Sequence, residues 1–184
     1  MKTSNKLQTI IIGLVLMLMI AGCSEDKYNP VAINEDTARC ETCNMAVKDD
    51  QFATQIITKD GQAFLFDDIG CMNEWMEENG TEQIGATFVR DYNSMQWVKY
   101  ENAHYVYDAN IHTPMAYGII SFESSADAKK YVEHAGQGKL MVAADLQHHS
   151  WEVNHEMKQS HGKDHDHSVN NEHNDNDTQT KMGH

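Results

Sequence analysis

The sequence predicts an α+β protein built from two similar halves, each running strand, strand, helix, strand. Three observations carry that prediction. Short runs of β-branched and aromatic residues end at turn residues, two apolar-faced helices open on acidic or hydroxyl caps, and the whole order recurs further along the chain. The halves, about 39–95 and 96–151, are expected to form one compact unit. A linker at 23–38 and a disordered tail at 152–184 flank it, with residues 1–22 as a leader segment.

Phe52–Thr58 reads as the first strand, Lys59-Asp60-Gly61 as a turn and Gln62–Phe66 as the second strand; an Asp-Gly pair between apolar runs is a strong hairpin signal. Asp67-Asp68 stands where a helix cap is needed. Met72, Trp75 and Met76 then share one helical face, and Asn79-Gly80 ends the helix. Thr87–Asp91 is the closing strand of the first half. In the second half Trp97–Tyr100 and His104–Tyr107 read as short strands and Ala116–Phe122 as a longer one. Ser124-Ser125 caps a helix carrying Ala128, Tyr131, Val132 and Ala135, Gly136 stops it, and Lys139–Ala144 closes the unit. Asp67-Asp68 and Ser124-Ser125 fall in matching places, as an internal duplication requires.

The chain opens with Lys2 and Lys6, runs through an apolar stretch from Ile10 to Ile20 and ends it with Ala21-Gly22-Cys23. That stretch is too short to span a bilayer and has the three-part build of a secretory signal. Ile20-Ala21-Gly22-Cys23 resembles a bacterial lipobox, in which Cys23 becomes the first mature residue and carries acyl chains such as palmitate. Two or more chains hold a protein stably to a membrane. The expectation is an extracytoplasmic lipoprotein, anchored on the periplasmic side, with the polar, Pro30-containing residues 24–38 lifting the domain off the surface.

Removing residues 1–22 takes Lys2 and Lys6 from the 14 basic residues and none of the 28 acidic ones, leaving a formal charge of 12 − 28 = −16. Phosphates repel such a chain, which excludes nucleic acid as a partner. Eight of the 11 histidines follow position 147, among Asp, Asn, Glu and Lys, with almost no apolar residue after Trp151. That composition cannot offset an ordering entropy of about 1–2 kcal/mol per residue, so the tail is expected to be disordered. Within it His161, His165 and His167 are candidates for weak binding of Cu(II), Zn or Ni.

With Cys23 acylated, Cys40, Cys43 and Cys71 remain, an odd number in an oxidising compartment, so at least one thiol is free or bound to something. Cys40, Cys43 and Met45 lie within six residues, in what reads as an irregular loop at the domain edge. Two thiols and a thioether so close favour a soft ion such as Cu(I), whereas a stable zinc site usually draws on four N or S ligands and gains nothing from methionine. Cys40-x-x-Cys43 alone also fits a redox pair, half a zinc knuckle or a structural disulfide. A thioredoxin-like motif would follow a strand and open a helix, and neither pattern surrounds this one. Core packing is the default for Cys71 and Met72 on the first helix. Met115 follows a proline in a polar loop with His112 nearby, where ligation and packing are both open to it. His104 alternates within a strand and reads as structural.

Taken together, the motifs resemble the NosL family, copper-binding accessory lipoproteins of nitrous-oxide reductase maturation. The resemblance covers about residues 23–145. It rests on the lipobox, on Cys40-Glu41-Thr42-Cys43-Asn44-Met45, on Phe66-Asp67-Asp68-Ile69-Gly70-Cys71-Met72, on Val89-Arg90-Asp91-Tyr92 and on Thr113-Pro114-Met115-Ala116-Tyr117-Gly118. It implies a Cu(I) chaperone of denitrification, working outside the cytoplasm and delivering copper towards nitrous-oxide reductase or its membrane maturation complex, with two similar α+β halves. By the same resemblance the family's Cys-x-Met pair falls on Cys43 and Met45 and its Pro-Met position on Met115; Cys40 and His112 are further candidate ligands. Family members usually carry Gly where this chain has Asn44 and Ala116. Asn tolerates the same left-handed backbone as Gly, and the loop geometry at Met115 is the open point.

A thiolate with one or two thioethers gives Cu(I) a low-coordinate site with an open side, where exchange proceeds one bond at a time. No constellation of nucleophile, general base and oxyanion donors stands out, so the expectation is a carrier and not an enzyme. The alternatives are a thiol-disulfide oxidoreductase acting on an extracytoplasmic copper enzyme, and a binding module without metal exchange. A homodimer sharing one ion is a further arrangement open to the donor set.

Overall fold

The strands of this protein fall into two antiparallel sheets whose internal order repeats. The computed structural model describes residues 27–156. In the first sheet β1 (Thr54–Thr58) lies between β2 (Ala63–Phe66) and β3 (Ile84–Arg90), and β4 (Trp97–Lys99) adds to the far side of β3. In the second sheet β5 (His104–Tyr107) lies between β6 (Ile119–Phe122) and β7 (Lys139–Val142). Each half therefore centres its sheet on its first strand. The helices α1 (Ile69–Asn79) and α2 (Ser125–Ala135) connect the second strand to the third in both. A 3₁₀ turn at Tyr100–Asn102 joins the halves, and a short helix α3 (Ala143–Leu146) follows β7.

The duplication extends to the caps. Asp68 accepts the N–H of Gly70 and Ser124 accepts that of Ala126, while Gly80 and Gly136 close the two helices, each at a φ of 72° that glycine adopts without penalty. Both sheets contribute to one core, with Ile56, Phe66, Met72 and Val89 from the first half meeting Tyr105, Ile119, Met141 and Leu146 from the second. Trp75 on α1 packs its ring 4.9 Å from that of Phe64. A smaller cluster of Val106, Ile120, Phe122 and Ala128 lies beneath α2.

The halves are stitched together just after β3. The Tyr92 N–H donates to the Ser121 carbonyl at 2.8 Å, and the Ser121 hydroxyl donates to the Arg90 carbonyl at 2.7 Å. Buried Asp91 takes the Glu123 N–H on one oxygen at 2.8 Å; its other oxygen accepts from the Asn93 and Ser94 N–H groups and the Ser94 hydroxyl. Burial pushes the Asp91 carboxyl up, but these donors outweigh it and hold the group below the usual carboxylate range.

Several expected boundaries move, each for a local reason. Trp97–Lys99, expected in the second half, pairs with β3 through Val98 and Val89, so the division between halves falls after residue 102 rather than 95. Ala116–Phe122 is a strand only from Ile119, because Ala116 (φ 62°) and Gly118 (φ 69°) are left-handed and turn the chain; a Cβ on Gly118 would meet the Asp108 carbonyl at 2.3 Å. The last strand stops at Val142, whose N–H donates to the Asp145 carboxylate at 2.8 Å and opens α3 over residues expected to be extended. The expected linker is in part packed: Tyr28 lies over Gly85, the Val31 N–H donates to the Gln55 side chain at 2.9 Å, and Ile33 and Ala38 join the core. At the other end Asn154 ties back, its N–H to the Ala116 carbonyl at 3.0 Å and its amide to the Ala109 carbonyl at 2.9 Å. The leader, Cys23, and the tail histidines His161, His165 and His167 lie outside the described residues.

Candidate metal centre

The segment expected to be an irregular loop is a tight turn held between Arg39 and Ala46, which form an antiparallel bridge. The Cys40 N–H donates to the Met45 carbonyl at 2.8 Å, and the Asn44 N–H to the Cys40 carbonyl at 2.9 Å. Closing so small a loop puts Asn44 at a φ of 60°, a conformation Asn tolerates better than most residues. Two further bonds fix the turn to its neighbours: Glu41 N–H to the Leu65 carbonyl at 3.1 Å, and the Thr42 hydroxyl to the Cys71 carbonyl at 2.8 Å. The turn also aims backbone donors at sulfur. The N–H groups of Cys43 and Asp67 point to the Cys40 thiol, and that of Met45 to the Cys43 thiol.

These constraints bring Cys40, Cys43, Cys71 and Asp67 together, one donor atom from each lying within 4.8 Å of all the others. Cys43 Sγ is 3.4 and 3.5 Å from the two Asp67 oxygens. Cys40 and Cys71 are 2% and 1% exposed, Cys43 is half-buried, and all three are free thiols. The Cys71 thiol donates to Cys40, and with the N–H donors it lowers the Cys40 thiol to about 7. Burial raises the Cys43 thiol to about 12, helped by the Asp67 charge. Cys71 is pushed strongly up because its proton is held in the bond to Cys40, and burial adds to this. One thiolate thus forms readily at Cys40, and the other two sulfurs give up their protons only to something that replaces them, such as a metal ion.

Asp67 also lines a cleft of about 450 Å³, together with Met45, Phe52, His112 and Pro114 among others. Met45 is 52% exposed there. Met115, one residue beyond Pro114, is 9% exposed and belongs to the core, not to a polar loop surface. Its position is set by Asp68: one carboxylate oxygen caps α1 at Gly70 N–H and the other accepts the Met115 N–H at 3.0 Å. Full burial pushes the Asp68 carboxyl up to about 6 despite those bonds. The loop can lie this close only because position 70 is glycine; a Cβ there would stand 2.0 Å from the Tyr117 ring. Ala116 keeps the left-handed turn at φ 62°.

Of the sequence candidates, the structure places Cys43 between Cys40 and Met45 in the turn and sets Met45 and His112 on the walls of one cleft. It anchors Met115 to the N-terminus of α1, near Cys71. Sequence reasoning missed Asp67 as a donor and left Cys71 to the core. A signal for both exists: with Asp68 as N-cap, Cys71 must lie in the first helical turn, and Asp67 immediately outside it. His104 is held in β5 opposite Phe122 and Val142, as a structural residue would be.

The NosL family model matches residues 30–151, a span that holds the cysteine turn, both helices and the Met115 loop. A solved structure, the crystal structure of the copper chaperone NosL from Shewanella denitrificans, superposes with a TM-score of 0.54 at 21% identity. It covers 62% of this chain and 92% of that chain, a likeness of fold. No curated protein matches. With the family model extending over most of the chain and over both halves of the duplicated fold, this protein belongs to the NosL family.

Proposed function

We propose that the protein is a lipid-anchored, extracytoplasmic carrier of Cu(I) that delivers copper to nitrous-oxide reductase or its membrane maturation complex. The observation that carries the reading is the convergence of three thiols and Asp67 within 4.8 Å, with Asp67 also lining a cleft walled by an exposed methionine. Thiolate and thioether donors select monovalent copper over harder ions. Cys43, Met45 and Met115 supply the donors, Met45 from the cleft wall and Met115 from the buried loop after Pro114, with Cys40, Cys71 and His112 as further candidates, and Cys23 carries the lipid. A solved protein of similar fold is described as a copper chaperone, which supports the same assignment. The tail histidines His161, His165 and His167 serve as a weak secondary site that gathers metal near the domain.

One observation favours a second reading. Three sulfurs and a carboxylate are also a tetrahedral set for Zn(II). The redox reading is less favoured, because the activated thiol, Cys40, is buried where a disulfide substrate cannot reach it. Titration of the reduced mature protein with Cu(I) against a competing chelator separates the readings. One ion binds tightly, and Cys43→Ser weakens it on the order of 100-fold. If equimolar Zn(II) displaces the Cu(I), the zinc reading replaces this one. Delivery is checked by adding the loaded protein to copper-free reductase in membranes that lack it and measuring the return of nitrous-oxide reduction.

A further inference from the structure

We infer that Cys43 is shared between two stations for the cargo ion, an inner one completed by Cys40 and Cys71 beside Asp67, and an outer one completed by Met45 at the cleft. The inference rests on the Cu(I)-carrier reading and specifies how that site releases its ion.

Burial divides the donors. Cys40 and Cys71 are buried, Met45 is exposed, and Cys43 is half-buried. Asp67 touches both sides, since its carboxylate lies against Cys43 Sγ and also lines the cleft that Met45 walls. An acceptor protein's sulfur cannot reach an ion held by two fully buried thiols, so release must begin with movement outward. The inner sulfurs cannot follow the ion. Cys71 is fixed in the first turn of α1, and Cys40 is held by its N–H bond to the Met45 carbonyl and by the donors aimed at its sulfur. The turn that fixes the backbone of Cys43 and Met45 leaves the Met45 side chain in the cleft, two residues from the shared thiolate.

In the outward step the copper–sulfur bonds to Cys40 and Cys71 break, a bond to the Met45 thioether forms and the bond to Cys43 persists. The ion stays Cu(I) and no electron moves. The sulfur left at Cys71 takes a proton from water and resumes its hydrogen bond to Cys40. Two thiolates are replaced by one neutral thioether, so the ion is held by fewer and weaker donors and has an open side for the incoming ligand. Affinity resides inside and release outside.

The test uses the full mature protein loaded with one equivalent of Cu(I). It compares equilibrium affinity with the rate of transfer to a sulfonated bathocuproine chelator in excess. Met45→Leu is expected to slow transfer about 10-fold while weakening affinity only about 2-fold; Cys71→Ser is expected to weaken affinity about 10-fold and to speed transfer. Affinity and off-rate changing in proportion in both variants, as in a single site, overturns the two-station arrangement while leaving the carrier reading intact. Equally weak binding by the unmodified protein and by Cys43→Ser overturns the carrier reading itself. Should Cys71→Ser not fold, methyl-labelled methionine in the unmodified protein decides. The Met45 methyl resonance stays near its copper-free position when the ion sits inside, and a full shift on loading overturns the inner station.

Discussion

The two halves share one frame and differ in what they do with its helix. α1 buries Ile69, Gly70, Cys71, Met72 and Trp75, whereas α2 buries Ala128 alone among its described residues. The hairpin of the first half turns within residues 59–62, while the equivalent connection of the second half runs over residues 108–118 and lays Met115 and Tyr117 against the start of α1. Position 70 of α1 is a glycine under the Tyr117 ring; the matching residue of α2, two past its cap, is Ala126. The two carboxylate bonds across the division run the same way, with Asp68 or Asp91 of the first half accepting an N–H of the second, from Met115 or Glu123. A duplicated scaffold has thus become asymmetric by lengthening one loop and clearing space for it on the other copy.

The largest break in that arrangement comes from Asp91. Asp91→Ala leaves three N–H groups and a hydroxyl without their acceptor and costs about 3–5 kcal/mol, read as a lowered midpoint in denaturant unfolding. A loss under about 1 kcal/mol would show that Asp91 does not hold the halves together. The same carboxylate sets an acid response. Its folded value lies below that of an ordinary aspartate, so its contribution is fully present above the ordinary value and is lost as pH falls through the lower, folded one. Unmodified protein is expected to lose stability on acidification below about pH 4, with this component absent from Asp91→Asn.

Much of the scaffold could be read from the chain because the signals were local. Asp-Gly at 60–61, the caps at Asp68 and Ser124, and the stops at Gly80 and Gly136 each act within a few residues, and all stand where expected. Boundaries failed where a distant partner decided: β4 is assigned by its pairing with β3, and Tyr28, Ile33 and Ala38 become part of the domain because apolar surface is there to receive them. At the candidate centre, the Cys40–Met45 turn was visible as a motif since its donors are neighbours in sequence. Asp67 and Cys71 were not, because an aspartate before a helix and a cysteine on its apolar end have ordinary structural explanations. The bond from Thr42 to the Cys71 carbonyl and those from the Asp67 N–H and the Cys71 thiol to Cys40 bring the turn onto that helix end, and the bond from Glu41 to Leu65 ties it to β2.

A smaller effect tests the cleared space. Gly70→Ala forces the Tyr117 ring away and costs about 2 kcal/mol by overpacking. Cu(I) affinity is expected to fall with it, because the strain falls on the first turn of α1 that holds Cys71. The mirror change, Ala126→Gly, is expected to cost only about 0.5–1 kcal/mol through helix propensity and to leave affinity alone. Equal losses of affinity in both would contradict the asymmetry; thermal melts together with the chelator competition supply both numbers.

The smallest effect concerns the cap itself. Ser124 accepts a single N–H, from Ala126 at 3.1 Å on the protein surface, so Ser124→Ala should cost about 1 kcal/mol of unfolding free energy and nothing in copper transfer. Asp68 holds the corresponding place but accepts from both Gly70 and Met115 in a fully buried position. Removing its carboxylate therefore strips two N–H groups of their partner and releases the Met115 loop. If Asp68→Ala proved as mild as Ser124→Ala in denaturant unfolding and in copper transfer, the bond to Met115 would not be holding the loop. The cap of α1 would then be only what its counterpart is, the start of a helix.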